Sequence, residues 1–183
     1  MKGECGCAVD HDVFVFHTAN PQGPDLCPNS FNIATSVQVA TDTYGKVAIS
    51  VINNGVTPMK FNYDLWDDDG ILDDIEYFEL IKHRNSTNQL IGDNQEVYLV
   101  NELSLSPTGS VRTGMAIIGS NLVAINTKTA VSTTMTHEIG HAKWGFLHPI
   151  DPPLNVYDTK NFMYEKAAGR TMNIRRYHFT KMH

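Results

Sequence analysis

The chain has 183 residues, with 20 acidic and 14 basic side chains, a formal net charge of −6 and 42% hydrophobic residues. This length and composition suit a globular protein with a full hydrophobic core, and we expect residues 1–183 to form one monomeric domain. No cluster of lysine and arginine suggests a phosphate-binding surface, so nucleic acid is not an expected partner. No apolar run approaches the roughly 20 residues that a membrane-spanning helix needs.

Residues 1–30 are rich in glycine, proline and cysteine, and contain all three cysteines, Cys5, Cys7 and Cys27. A disulfide from Cys27 to either of the others would leave one spare thiol and would suit an extracellular protein, while free thiols are equally consistent with the sequence. The first five residues lack the apolar stretch of a signal peptide. We therefore expect a mature or excised domain of a secreted protein.

Alternation of apolar with polar or small residues predicts strands along the chain. Residues 13–16 predict the first strand. Residues 37–51 predict two more, joined by a turn at 42–45, and a further turn follows at Asn53-Asn54-Gly55. Two later strands are expected at 96–100 and 121–126, with a loop at 104–114 between them. The strand at 121–126, if it borders a cleft, would be able to pair with an extended peptide.

The acidic segment at 67–76 has two interpretations. Asp67, Asp69, Asp73 and Glu76 fall at positions 3, 5, 9 and 12 of an EF-hand-like loop and predict a calcium site, although position 1 is Leu65 where an aspartate is expected. Alternatively, the segment is an acidic turn in which Asp73 or Asp74 caps a helix at 74–83. That helix is expected to bury Leu72, Ile75, Phe78 and Ile81.

A histidine motif follows the last predicted strand. His137-Glu138-Ile139-Gly140-His141 has the form H-E-x-x-H, which places His137 and His141 on one face of a helix, one turn apart. Two such imidazoles are able to hold one Zn²⁺, and Glu138 is then the candidate general base. The helix is expected to begin near 130–133, with Ser132 or Thr133 as its N-cap.

His148 is the third candidate ligand. On an unbroken helix it would lie roughly 16 Å along the axis from His137, too far to share one ion. Gly145 stands where the helix must end, because glycine accepts the left-handed conformation that turns the chain. Three protein ligands leave a fourth position for water, the arrangement of a catalytic zinc site.

This pattern resembles the metzincin metallopeptidases, whose signature is H-E-x-x-H-x-x-G-x-x-H followed by a Met-turn. The chain departs from it by one extra residue, Trp144. It is more similar still to metallopeptidase domains at the C-termini of large secreted or toxin-like bacterial proteins, through the histidine spacing, Asn161–Tyr164 and Ile174–His183. The last of these segments lies in a final helix predicted at about 171–182. The resemblance covers about Thr113 to His183.

The resemblance implies an α/β (α+β) zincin-type fold, with a small twisted mixed sheet, a zinc-binding active-site helix and a C-terminal helix. It also implies that Met163 is the Met-turn residue, forming an apolar floor below the ligands. Tyr164, directly after it, is a candidate oxyanion stabiliser, and Tyr157 is a weaker one. His178 and His183 are interpreted as ordinary core or surface residues.

The sequence therefore predicts a zinc-dependent metalloendopeptidase that cleaves protein or peptide substrates, with zinc as cofactor. If the acidic segment binds calcium, that second metal is expected to have a structural role. In the expected reaction, Glu138 takes a proton from the attacking water and then supplies one to the leaving amine. Two alternatives stay open: a zinc amidase that acts on small or cell-wall peptides, and a secreted calcium-stabilised binding module whose zinc site is not catalytic.

Overall fold

The computed structural model describes residues 9–18, 31–59, 71–86, 94–105, 109–166 and 170–182. Its centre is a five-stranded mixed sheet with the order β2-β1-β3-β7-β6. The strands are β1 (Val9–Thr18), β2 (Ile49–Met59), β3 (Gln95–Val100), β6 (Gly114–Ala116) and β7 (Leu122–Asn126). Neighbouring strands are parallel except β6, which runs antiparallel to β7. The predicted mixed sheet is thus confirmed.

The helices are α1 (Ile33–Gly45), α2 (Asp74–Ser86), α3 (Thr134–Trp144) and α4 (Arg176–Met182). Side chains alternate between the two sheet faces, as the two-residue period of a strand requires. Val97, Leu99, Val123 and Ile125 share one core with residues of α1 and α3, whereas Tyr98, Val100, Leu122 and Ala124 share a second core with residues of α2. The sheet is therefore covered on both faces. No helix among the described residues is long and apolar enough to cross a membrane.

Helix α1 contradicts the strand that residues 37–39 predict and the turn predicted at 42–45. Its N-cap is Asn32, whose side-chain oxygen accepts a hydrogen bond from the Thr35 amide at 2.9 Å. The face that it buries carries Ser36, Ala40, Thr43 and Tyr44. Because three of these four residues are small or polar, the buried face did not show as an apolar stripe in the sequence.

The predicted turn at Asn53-Asn54-Gly55 is also wrong, because these residues lie inside β2. The register of β2 against β1 shifts between Val13 and Val15, and Gly55 has a φ of +89°. Such an irregularity is a β-bulge, in which glycine accommodates the unusual backbone conformation. The residues that suggested a turn therefore bend a continuous strand.

A two-stranded antiparallel ladder of β4 (Ser104–Leu105) and β5 (Ser110–Val111) lies within the predicted loop at 104–114. The strands predicted at 96–100 and 121–126 are confirmed as β3 and β7. Strand β7 lies between β3 and β6, however, so it does not form the border of the sheet. Among the described strands that edge position belongs to β6.

Asp73 caps helix α2, as the second interpretation of the acidic segment predicted, and Glu76 completes a capping box. The Asp73 carboxylate accepts hydrogen bonds from the amides of Ile75 and Glu76, and Glu76 accepts one in return from the amide of Asp73. The predicted buried face is wrong in part: Ile75 and Phe78 are exposed, and Tyr77 and Leu80 are buried with Leu72 instead.

Candidate zinc centre

Helix α3 ends where the sequence required. Gly145 is its C-cap, with a left-handed φ of +62°, and its amide donates to the carbonyl oxygen of His141 at 3.1 Å. The amide of Phe146 then donates to the Gly140 carbonyl oxygen at 3.1 Å. These two bonds satisfy the end of the helix and reverse the chain. The reversal allows His148 to return to the face that His137 and His141 present, and Trp144 is the additional residue of the helix.

Thr133 is the N-cap of α3, one of the two predicted positions, but its side chain makes no capping hydrogen bond. The hydroxyl of the next residue, Thr134, instead accepts a hydrogen bond from the amide of Val131 at 3.1 Å. The hydroxyl group at the start of α3 that makes a local hydrogen bond is therefore that of Thr134, one residue after the N-cap.

The three histidines converge through one nitrogen each. The Nε2 atom of His141 lies 3.1 Å from that of His137 and 3.2 Å from that of His148, and the third edge of the triangle is 3.3 Å. Ligands at a Zn–N distance of about 2.0–2.1 Å in a tetrahedron are about 3.3 Å apart, so the triangle has the size of a zinc site. These histidines are the one metal-binding cluster found in the described part of the chain.

The other ring nitrogen of each histidine has a protein partner. The Nδ1 atom of His137 lies 3.0 Å from the carbonyl oxygen of Phe162, and that of His141 hydrogen-bonds the carbonyl oxygen of Phe146. The Nδ1 atom of His148 lies 3.3 Å from Oδ2 of Asp151. Such partners keep the proton on Nδ1 and leave the Nε2 lone pair for a metal. Asp151 was not identified from the sequence.

Burial keeps these imidazoles neutral. It lowers the pKa of His137 well below its usual value, helped by the positive charge of Arg170, and lowers the pKa of His141 to about 4. Burial likewise lowers the pKa of His148, although Asp151 acts in the opposite direction. Neutral imidazole is the form that binds a metal, so the site is ready for an ion without first losing protons at pH 7.

Glu138 lies beside this triangle in a confined position. It is 7% exposed, and a Cβ atom added at Gly114 of β6 would lie 2.7 Å from the Cγ atom of Glu138. Burial raises the pKa of Glu138 to about 7, while Arg170 and Arg112 oppose that rise. A carboxyl group with such a pKa is able both to accept and to return a proton near neutral pH.

The segment after the third histidine packs below the ligands. Met163 is fully buried, and a Cβ atom added at Gly140 of α3 would lie 2.5 Å from its Sδ atom. The Asn161 side chain fixes this turn by accepting a hydrogen bond from the Met163 amide at 2.9 Å. The position suits the apolar floor predicted for Met163, and Gly140 provides the close approach.

The side chain of Tyr164 contacts another tyrosine, Tyr157. Its hydroxyl lies 3.2 Å from that of Tyr157, and it is not among the described residues that line the cleft above the histidines. Arg170, which sequence analysis missed, lines that cleft together with Arg112. No local motif surrounds Arg170 in the sequence, so only the fold reveals its position.

Only some of the remaining predicted residues lie in the described part of the chain. Asp67 and Asp69 of the predicted calcium loop lie outside the described residues, as do the three cysteines and His183. Asp73 and Glu76 are described, and their carboxylates take part in the capping box of α2. His178 is fully buried against Phe146 and Phe162, so it is a core residue, one of the two placements predicted for it.

Comparison with known proteins identifies the fold. No protein-family model and no curated protein matches the chain. Among solved structures, an archaemetzincin from Methanopyrus kandleri is 12% identical and aligns over 97% of this chain and 95% of its own, with a TM-score of 0.61. A zinc-dependent peptidase from Methanocorpusculum labreanum is also 12% identical, over 94% of this chain and 100% of its own, with a TM-score of 0.57.

A second archaemetzincin, from Archaeoglobus fulgidus and in complex with malonate, is 13% identical over 93% of this chain and 99% of its own, with a TM-score of 0.51. At such low identity the likeness concerns the path of the backbone. The chain therefore has the zincin-like fold of the archaemetzincins, as its sequence predicted.

Proposed function

We propose that this chain is a zinc-dependent metalloendopeptidase, in which His137, His141 and His148 hold the metal and Glu138 is the general base. The observation that carries the proposal is the triangle of three Nε2 atoms, with edges of 3.1, 3.2 and 3.3 Å, beside a buried carboxyl group. The zinc-dependent peptidases with the same fold support it. When bound, zinc acts as a Lewis acid that lowers the pKa of water and polarises a carbonyl group.

The residues of the chain transfer the protons and orient the ligands. Glu138 accepts the proton of the attacking water and then donates a proton to the leaving amine, which its pKa of about 7 permits in both directions. Phe162, Phe146 and Asp151 hold the three imidazoles in orientation. The Glu138 side chain packs against Gly114, where an added Cβ atom would lie 2.9 Å from Oε1, and this packing positions the carboxyl group.

The edge of the sheet provides a place for the substrate. Residues 114–116 of β6 line a cleft of about 400 Å³ that also contains the three histidines and Glu138. An extended peptide is able to add to an exposed strand edge through main-chain hydrogen bonds. We propose that β6 holds the substrate in this way, in place of the strand at 121–126, which lies one strand further inside the sheet.

The experiment compares wild type with Glu138→Gln, both loaded with zinc, on a mixture of folded proteins, a peptide library and cell-wall peptides. Glutamine has nearly the same shape as glutamate but does not accept the proton. We expect wild type to cleave peptides, and the variant to be slower by about 10²- to 10⁴-fold while still binding one equivalent of zinc. Mass spectrometry of the products and metal analysis of the proteins provide the two measurements.

Each contrary result has a distinct meaning. Equal activity of the two proteins would show that Glu138 is not the base. Cleavage confined to cell-wall peptides would favour the amidase alternative. Inertness of both proteins, with one zinc bound to each, would overturn the peptidase proposal and favour a site that only binds metal.

A further inference from the structure

Arg170 is a buried cation in the wall of the candidate active site. It is 8% exposed and lines the same cleft as Glu138 and the three histidines. Its charge acts on Glu138 and on all three imidazoles, so the guanidinium lies within electrostatic range of the reacting groups. The function proposed above gives this residue no role.

The hydrogen bonds of Arg170 leave part of its guanidinium free. Nε donates to the carbonyl oxygen of Tyr164 at 2.8 Å, Nη2 donates to that of Glu165 at 3.3 Å, and Nη1 approaches that of Thr133 at 3.5 Å. A guanidinium has five N–H groups. These three contacts use one on each nitrogen, so Nη1 and Nη2 each keep one N–H group.

All three acceptors are neutral main-chain oxygens. None of the ion pairs in the described part of the chain includes Arg170. The carboxyl group of Glu138 is the opposite charge that acts on Arg170, but no ion pair joins the two side chains. A buried charge that no carboxylate contacts is costly, and buried charges in proteins are ordinarily paired. Here the charge faces a cleft, which is where a partner supplied by another molecule would enter.

We infer that Arg170 binds a carboxylate of the substrate, so that the enzyme selects peptides with a carboxylate close to the scissile bond. A carboxylate offers two oxygens as acceptors to these N–H groups, and carboxylates are the anions that arginine pairs with best. The carboxylate comes either from an aspartate or glutamate side chain or from the C-terminus of the peptide. This inference rests on the proposed peptidase function, whose site it extends.

Two other charged side chains bear on the specificity. One is Glu138, whose carboxyl group is the opposite charge that acts on Arg170. Arg112 also lines the cleft, at its exposed side, and acts on the same carboxyl group of Glu138. Arg112 is not buried, so solvent screens its charge more strongly than that of Arg170.

The first test needs no variant and uses the zinc-loaded wild-type protein. A peptide cut by the enzyme is prepared as matched pairs, with glutamate or glutamine at each position around the cut and both termini blocked. A further pair carries a free carboxylate or an amide at the C-terminus. We expect kcat/KM to favour one acidic member over its neutral match by about 10- to 100-fold, the range for a charge-assisted hydrogen-bonded pair. The side-chain and C-terminal arms distinguish the two sources of the carboxylate.

The second test assigns the preference to Arg170. In Arg170→Gln the ratio of the two kcat/KM values should fall to about 1, because glutamine keeps a donor for the carbonyl oxygens but has no charge. The ratio cancels any general change in the reactivity of Glu138. Arg176→Gln, which removes an exposed arginine on helix α4, is the matched control and should keep the ratio of wild type.

Binding gives a readout that does not depend on turnover. In zinc-loaded Glu138→Gln, calorimetry should show tighter binding of the acidic peptide than of the neutral one, and the difference should vanish when Arg170→Gln is added. The carboxylate site would be overturned if proteins that retain Arg170 cleave and bind both members of every matched pair equally well. Binding that depends on Arg170 without cleavage of any peptide would overturn the peptidase function and leave the carboxylate site standing.

Discussion

His148 reaches the candidate metal site from the loop after α3, and Asp151 holds its ring there. One carboxylate oxygen of Asp151 lies 3.3 Å from Nδ1 of His148 and 3.3 Å from the His148 main-chain nitrogen. His137 and His141 are fixed by a helix, but His148 depends on these local contacts. Its imidazole therefore has the most orientational freedom to lose when a metal binds.

We expect Asp151→Ala to weaken zinc binding by about 10- to 100-fold, the usual effect of removing the group that orients a ligating histidine. Asp151→Asn keeps an oxygen acceptor and should lose less affinity, so it serves as the matched comparison. Competition with a chromophoric chelator measures both dissociation constants. Wild-type affinity in Asp151→Ala would mean that the loop backbone alone orients His148.

At the scale of single residues, the sequence was most informative where one motif holds the chemistry. His137, Glu138 and His141 are predictable because a helix converts a spacing of four into one face. Gly145 is predictable because the third histidine requires the helix to end. Asp151 and Arg170 are not predictable in this way, since their roles depend on contacts between segments that no local spacing encodes.

The contact of α3 with the turn below it links the metal site to the core. Gly140 faces Met163 and Phe162 directly, and an added Cβ atom would lie 2.5 Å from the Sδ atom of Met163 and 3.1 Å from the Cε2 atom of Phe162. The carbonyl oxygen of Phe162 also accepts from His137. A displacement of this turn would therefore disturb a ligand as well as the packing.

Gly140→Ala should lower the free energy of unfolding by about 1–3 kcal/mol, the range for overpacking a well-packed core, and should weaken zinc binding as well. Gly45→Ala is the matched control, because an added Cβ atom at the end of α1 meets nothing within 4 Å and alanine favours helix. Urea unfolding and zinc titration measure the two effects. Equal stability of the two variants would show that Met163 moves aside without cost.

Elements that bury apolar side chains in a regular pattern were predictable, and those that bury polar or small ones were not. Strands β3 and β7 show as continuous apolar runs, because both faces of the sheet are covered. Helix α1 shows no apolar stripe because Ser36 and Thr43 occupy its buried face, and the alternation of Val37 and Val39 predicts a strand there instead. Strand β6 has only three residues, too few for a periodic pattern. It is a strand because it pairs with β7.

Across the whole molecule, the zinc-free fold carries ionisable groups whose pKa values respond to folding in opposite directions. Burial lowers the pKa of His141 from 6.5 to about 4, so its contribution to stability is complete above pH 6.5 and is lost as the pH falls. His137 and His148 shift in the same direction. Burial raises the pKa of Glu138 from 4.5 to about 7, so its contribution is complete below pH 4.5 and is lost as the pH rises through 7.

Comparison of zinc-free wild type with zinc-free Glu138→Gln isolates the glutamate, because both proteins share the histidines. The two should have a constant stability difference below pH 4.5. As the pH rises to 8, wild type alone must ionise a buried carboxyl group. The free energy of unfolding of the variant should therefore rise relative to that of wild type, by up to about 3 kcal/mol. Urea unfolding in chelator at pH 4.5, 6, 7 and 8 measures the change. A difference that does not vary with pH would show that the carboxyl group of Glu138 is solvated in the zinc-free protein.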